Sequence, residues 1–266
     1  MLSLLKKELG IDEKATQSIV DFELSLYDTQ GAATGGMREE FLCSSRIDNL
    51  ASCFVAVEAL LTHASGPTLD EDADVSVIAL FDHEEVGSGS NPGAGSTLMR
   101  DAVTRISNAL ADSGGGEDSE VFKAALARSL IFSVDMAHAV HPNYASKHEK
   151  AHSPRMNHGI VIKSNGNQRY ATSGITGFYV RELGRRAGVP VQEFAVRNDC
   201  PCGSTIGPII AQNVGIRAVD LGMPQLSMHS IREMMGGADL TFAHKLFTSF
   251  FKDFRQLDDQ FPGGSL

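Results

Sequence analysis

The sequence predicts an α/β fold, a three-layer α/β/α arrangement with helices on both faces of a sheet, and three observations predict it. Short apolar runs recur along the 266 residues, at 75–81, 130–134, 160–163, 191–196 and 216–221. Segments with helical spacing of apolar residues lie between and after them. Strand and helix in alternation is the signature of layered α/β architecture. The run at 75–81 is also unbroken rather than alternating, as expected of a strand covered on both faces.

Residues 1–45 read differently from the rest. Leu2, Leu5 and Leu9 space a short amphipathic helix that stops at Gly10, and a second helix starts near Asp12. Phe22, Leu24 and Leu26 alternate as in a half-buried strand, and a Gly-rich turn (31–36) leads to another short strand at 40–43. This piece has too little apolar surface to fold alone, so a boundary is expected between 45 and 46.

From Arg46 onward the pattern is regular. Leu50, Phe54, Val57 and Leu61 mark one helical face, and the strand 75–81 follows. A helix at 96–110 turns Leu98, Met99, Ala102, Val103 and Ile106 inward. The Gly-rich stretch 112–118 reads as a flexible, exposed connection. Strand 130–134 ends on Asp135. Strands at 160–163, 191–196 and 216–221 alternate with helices at 175–186 and 205–214. A last helix, 238–254, carries Leu240, Phe242, Leu246, Phe250 and Phe254.

Composition narrows the function classes. Hydrophobic residues make up 42% and the net charge is -10, which argues for a folded domain and against a phosphate-backbone binder. No Lys/Arg run suggests a nucleic-acid or membrane-surface patch, and nothing reads as a signal peptide or a membrane span. Four cysteines (Cys43, Cys53, Cys200, Cys202) are too few for a disulfide framework, and Cys200-Pro-Cys202 lacks redox or zinc-knuckle spacing. A cytoplasmic protein with reduced thiols is expected.

The polar residues of interest stand at element ends. Asp48 precedes the first long helix, Glu84 and Glu85 follow strand 75–81, Asp135 closes strand 130–134, and His229 lies in Ser227-Met228-His229-Ser230. Open α/β sheets place their sites beyond the carboxyl ends of their strands. Two adjacent acids in a crevice need a shared proton or cations. Carboxylates with an imidazole suit a divalent ion such as Zn²⁺, and one carboxylate can bridge two ions. Each residue also has an ordinary structural use: Asp48 as a helix cap, Asp135 as a turn former, His229 as a core histidine. A competing motif, His148-Glu149-Lys150-Ala151-His152, matches H-E-x-x-H. That pattern works only on a helix, and its flanks here are Pro142 and Pro154 with polar residues between them, so a polar loop is predicted.

Longer motifs carry a family likeness. Arg46-Ile-Asp-Asn, Asp82-His-Glu-Glu-Val-Gly-Ser, Ser133-Val-Asp-Met-Ala-His-Ala-Val-His-Pro-Asn, Asn165-Gly-Asn-Gln-Arg-Tyr-Ala, Arg197-Asn-Asp-Cys-Pro-Cys-Gly-Ser-Thr-Ile-Gly-Pro and Met228-His-Ser-Ile-Arg-Glu resemble the aspartyl aminopeptidases, the M18 dinuclear metallopeptidases. The resemblance implies a peptidase that removes N-terminal Asp or Glu from peptides, with two divalent ions, zinc first and manganese or cobalt as alternatives. By resemblance Asp48 bridges the ions, Glu85 and His229 bind one, Asp135 the other, and Glu84 is the general base. Lys163 matches the family lysine for the acidic side chain, and Tyr170 and His141 are further candidates for that pocket. The resemblance also implies a homo-oligomer, dodecameric in the family, and makes residues 1–45 the tail of an inserted dimerisation domain. The family's upstream histidine motif, which completes one metal's shell, has no counterpart: His63 is the first histidine and follows Asp48. The sequence thus resembles the C-terminal portion of the family chain, and either an active aminopeptidase or an inactive assembly partner of full-length subunits is consistent with it.

Overall fold

Alternation along one strand shows how the layers arise. In β3 (Leu130–Val134), Leu130, Phe132 and Val134 join the larger core, while Ile131 joins a smaller one on the other face, as a side-chain period of two requires. The larger core is closed by α2 (Ile47–Ala64), α5 (Gly174–Ala187) and α7 (Gly237–Gln260). The smaller one takes residues from α3 (Leu98–Leu110), α4 (Glu120–Ala127) and α6 (Ile206–Val214). Helices on both faces of one sheet make the expected three layers.

The computed structural model describes residues 1–12, 19–67, 69–111 and 119–261. They fall into two compact units, Met1–Gln30 and Gly31–Leu266. In the first, α1 (Leu2–Glu8) ends before Gly10, whose φ of +65° is the left-handed conformation that glycine adopts freely. The helix expected to start near Asp12 falls largely outside the described residues. The strand expected at 22–26 is absent: the stretch has no ladder partner among the described residues, and Phe22, Leu24 and Leu26 are all exposed.

The second unit holds two sheets. The central one runs β3-β7-β5-β6, with β5 (Ile160–Ser164), β6 (Val191–Ala195) and β7 (Arg217–Gly222). β3 and β7 are parallel, as are β5 and β6, whereas β5 meets β7 antiparallel. These four strands and the helices α3, α5, α6 and α7 lie where the sequence predicts them. The smaller sheet runs β1-β2-β9-β8-β4, with β1 (Ala33–Gly35), β2 (Phe41–Ser44), β4 (Ala137–His138), β8 (Pro224–Leu226) and β9 (Glu233–Gly236). β2 pairs with β9, Ser44 opposite Glu233, so residues 31–45 share a sheet with the far end of the chain. The compact units part after residue 30 rather than after 45.

Two expectations are corrected. Residues 75–81 do not form a strand: no partner takes their backbone groups among the described residues, and Val75, Val77 and Leu80 are 54%, 39% and 55% exposed. Apolar composition gives a segment strand propensity, but a ladder needs a neighbour. In α2 the predicted stripe is the outer face. Ile47, Ser52, Val55, Ala59 and His63 are buried, while Leu50, Phe54, Val57 and Leu61 are exposed. By length and composition alone α2 could also cross a bilayer. In the fold it packs against α7. The connection 112–118 lies outside the described residues.

Candidate metal centre

Three loops bring the acidic residues together, and each enters through a non-glycine residue with positive φ. Arg46, at φ +58°, turns the chain from β2 into α2, two residues before Asp48. His83, at φ +60°, opens the 3₁₀ turn Glu84–Val86. His229 itself stands at φ +65°, between β8 and β9. Such conformations cost roughly 1–2 kcal/mol each for residues with a Cβ, and they collect at functional sites.

The ordinary structural uses of these residues are not the ones the fold makes of them. Arg46, not Asp48, occupies the cap position of α2, and no side chain caps that helix start. His229 is no core histidine, since its side chain is 61% exposed. Its Nε2 stands 3.2 Å from Glu85 Oε2 and 3.5 Å from Asp48 Oδ2. One donor atom from each of Asp48, Glu85 and His229 lies within 4.8 Å of the others. Two carboxylates and an imidazole so close suit a zinc-like ion in donor type and spacing.

Asp135 leaves β3 with its N–H donating to the Leu221 carbonyl at 3.2 Å, and its carboxylate accepts from Lys163 Nζ at 3.2 Å. This close passage leaves no room at Gly222, where a Cβ would fall 1.7 Å from the Asp135 carbonyl oxygen. Asp48 and Asp135 share a hydrogen bond. Burial, and then the charge of Asp135, pushes the Asp48 carboxyl up to about 9. Burial works the same way on Asp135, but the Lys163 charge and the hydrogen bond from Asp48 outweigh it and hold Asp135 below the usual carboxylate range. The two carboxyls therefore titrate as a pair, Asp48 driven up and Asp135 held down. Glu84 is raised, first by desolvation and then by the Asp135 and Glu85 charges, with Lys163 and His229 opposing.

The substrate-pocket candidates separate. Lys163, its side chain 4% exposed, reaches Asp135 and lies 5.7 Å over the Tyr170 ring. Burial, with a hydrogen bond to Cys202, raises the Tyr170 phenol. His141 is used locally: its Nδ1 accepts from the Asn143 N–H at the start of the turn Pro142–Lys147, and its ring packs on Tyr144. His148 to His152 are not helical. His148 bridges to Val196, and His152 pairs with Glu149.

Two acids that sequence reasoning missed organise the surroundings. Glu233 accepts from the backbone N–H of Asp48 at 2.8 Å and of His229 at 3.0 Å. Asp220, fully buried, accepts from Ser133 Oγ, Thr205 Oγ1 and the Ala171 N–H at 2.7, 2.6 and 2.6 Å. It thereby joins the strand before Asp135, the start of α6 and the loop after Tyr170. An acid inside the apolar run 216–221 was a readable signal, because a buried carboxylate must be hydrogen-bonded.

Comparison with known proteins places this geometry. Residues 1–251 match the family described as aminopeptidase I zinc metalloprotease (M18). The chain belongs to the M18 peptidase family. The M18 chain is 48% identical over 261 residues to a probable aspartyl aminopeptidase of Ricinus communis, covering 98% of this chain and 52% of that one. Among solved structures it resembles one titled as the Ape4 and Nbr1 complex, with a TM-score of 0.88 and 44% identity over 97% of this chain and 49% of that chain. It also resembles the Saccharomyces cerevisiae mApe1 dodecamer, with a TM-score of 0.87 and 33% identity over 99% of this chain and 57% of that one. This M18 chain thus spans about half the length of the relatives it matches.

Proposed function

We propose that this chain carries the metal-binding and proton-transferring part of an aminopeptidase that removes N-terminal Asp or Glu from peptides. The observation that carries the reading is the convergence of Asp48, Glu85 and His229 donor atoms within 4.8 Å, with Asp135 bonded to Asp48 and Glu84 in the same acidic cluster. Asp48, Glu85 and His229 would hold one zinc ion, and Asp48 with Asp135 would contribute to a second. Bound there, divalent zinc supplies Lewis acidity that activates water and polarises the peptide carbonyl.

The protein's own groups do the rest. Glu84, raised by desolvation and neighbouring carboxylates, is suited to take a proton from the attacking water and return it to the leaving amine. Lys163 is the cation suited to an acidic substrate side chain, held above Tyr170. Residues 1–45 fit the tail of an inserted dimerisation domain, and the dodecamer among the relatives favours a homo-oligomer.

The test is release of Asp from a short Asp-initiated peptide in the presence of zinc, with a Leu-initiated peptide as comparison. Preferential Asp release is expected, and Glu84→Gln should lower kcat by about 10²- to 10⁴-fold while zinc still binds. Undiminished turnover in Glu84→Gln would remove Glu84 from its role. Zinc binding without turnover, with turnover restored by a full-length relative, would favour an inactive assembly partner.

A further inference from the structure

We propose that Glu233 is a positioning residue for the metal centre, a single buried carboxylate that sets the backbone of two of its ligands. The inference rests on the reading of Asp48, Glu85 and His229 as zinc ligands. Glu233 opens β9 and is 3% exposed. Its Oε2 accepts the Asp48 N–H at 2.8 Å, and its Oε1 accepts the His229 N–H at 3.0 Å and Gln225 Nε2 at 3.3 Å. Asp48 and His229 are 181 positions apart in sequence, on the entry to α2 and on the β8–β9 loop. One side chain therefore ties two remote segments at the ligand residues themselves.

Neither segment is held there by regular structure. Asp48 has φ -78° and ψ 111°, outside the helix it nominally begins, and His229 is left-handed at φ +65°. In both, a backbone N–H that no ladder or helix turn engages donates to Glu233. Glu233 is itself steadied because β9 pairs on both sides, with β2 and with β8. The smaller sheet is thus the frame that brings Asp48 and His229 to one ion. Residues around metal ligands that orient them usually change metal affinity by 10- to 100-fold when removed.

The probe is zinc alone, titrated against a chromophoric chelator with the full chain. Glu233→Gln keeps size and one acceptor but turns an NH₂ toward a donor. Glu233→Met removes both acceptors. Zinc binding is expected to weaken about 10-fold in the first and further in the second. Asp239→Asn serves as the comparison. Asp239 is an equally buried carboxylate that accepts the Asn157 and Gly159 N–H groups at 2.6 and 2.9 Å, and its variant should bind zinc as wild type does. A wild-type chain that takes up no zinc would overturn the metal-site reading itself. Wild-type zinc affinity in a folded Glu233→Gln, or an equal loss in Asp239→Asn, would overturn the positioning role alone. Failure of both Glu233 variants to fold would overturn it too, by showing Glu233 to be a requirement of the sheet.

Discussion

At Asp48 the chemistry of binding and the chemistry of protonation compete for the same oxygen. Without a metal, burial and Asp135 raise this carboxyl to about 9, so on the proposed reading a zinc ion held at Asp48 would have to displace a proton at pH 7. Binding should release about one proton per ion at pH 7, read as a dependence of the calorimetric heat on buffer ionisation enthalpy. Apparent zinc affinity should climb about tenfold per pH unit toward pH 9 and then level off. Heats independent of buffer would show Asp48 already ionised. The sign for stability follows from the same shift. A carboxyl raised in the folded state contributes stability below its unfolded value of 3.8, and that contribution is lost as pH rises toward 9. Among the residues, those with an unusual neighbour in sequence were readable: the paired Glu84 and Glu85, and Asp135 at the end of an apolar run. Glu233 carried no such mark, since its partners Asp48 and His229 meet it only in the fold.

Helix α2 is where element-scale reasoning from sequence turned the wrong way round. Leu50, Phe54 and Leu61 are larger and more apolar than Ser52 and Ala59, yet it is Ser52, Val55, Ala59 and His63 that are buried. α2 packs against α7, and Ala59, fully buried in the core that both helices share, is a small side chain with no spare room around it. Ala59→Leu should overpack that contact and cost about 1–3 kcal/mol, while Phe54→Ser should change stability by less than about 0.5 kcal/mol. Urea midpoints of the two variants against wild type measure both, and a reversed ranking would contradict the packing. Most elements of five residues or more with partners in the chain, such as β3, β5 and α5, were legible because burial imposes their period, whereas the eight-residue α4 was not read. Of the smaller sheet only β2 was legible, expected at 40–43, since its strands run two to four residues, too few for a period to show. Residues 75–81 misled for the opposite reason: their composition is that of a strand, but no strand pairs with them among the described residues.

Over the whole molecule, the same two stretches leave an unusual surface. The outer face of α2 and residues 75–81 expose Leu50, Phe54, Leu61, Val75 and Leu80, where a folded monomer tends to keep large apolar side chains scattered. Residues 75–81 also leave backbone groups without a ladder among the described residues, a template for strand addition. The net charge of -10 opposes association only over a Debye length of about 8 Å at physiological salt, too short a reach to prevent contact between such surfaces. The chain by itself is therefore expected to associate with rising concentration, seen by light scattering on a sizing column as a mass above that of one chain. Raising salt should strengthen this, because screening removes repulsion while apolar burial persists. Phe54→Lys with Leu80→Lys, which place charge on both stretches without touching the buried face of α2, should return the chain to a monomer that binds zinc as before. A double variant that associates as strongly as wild type would assign the contact to some other surface.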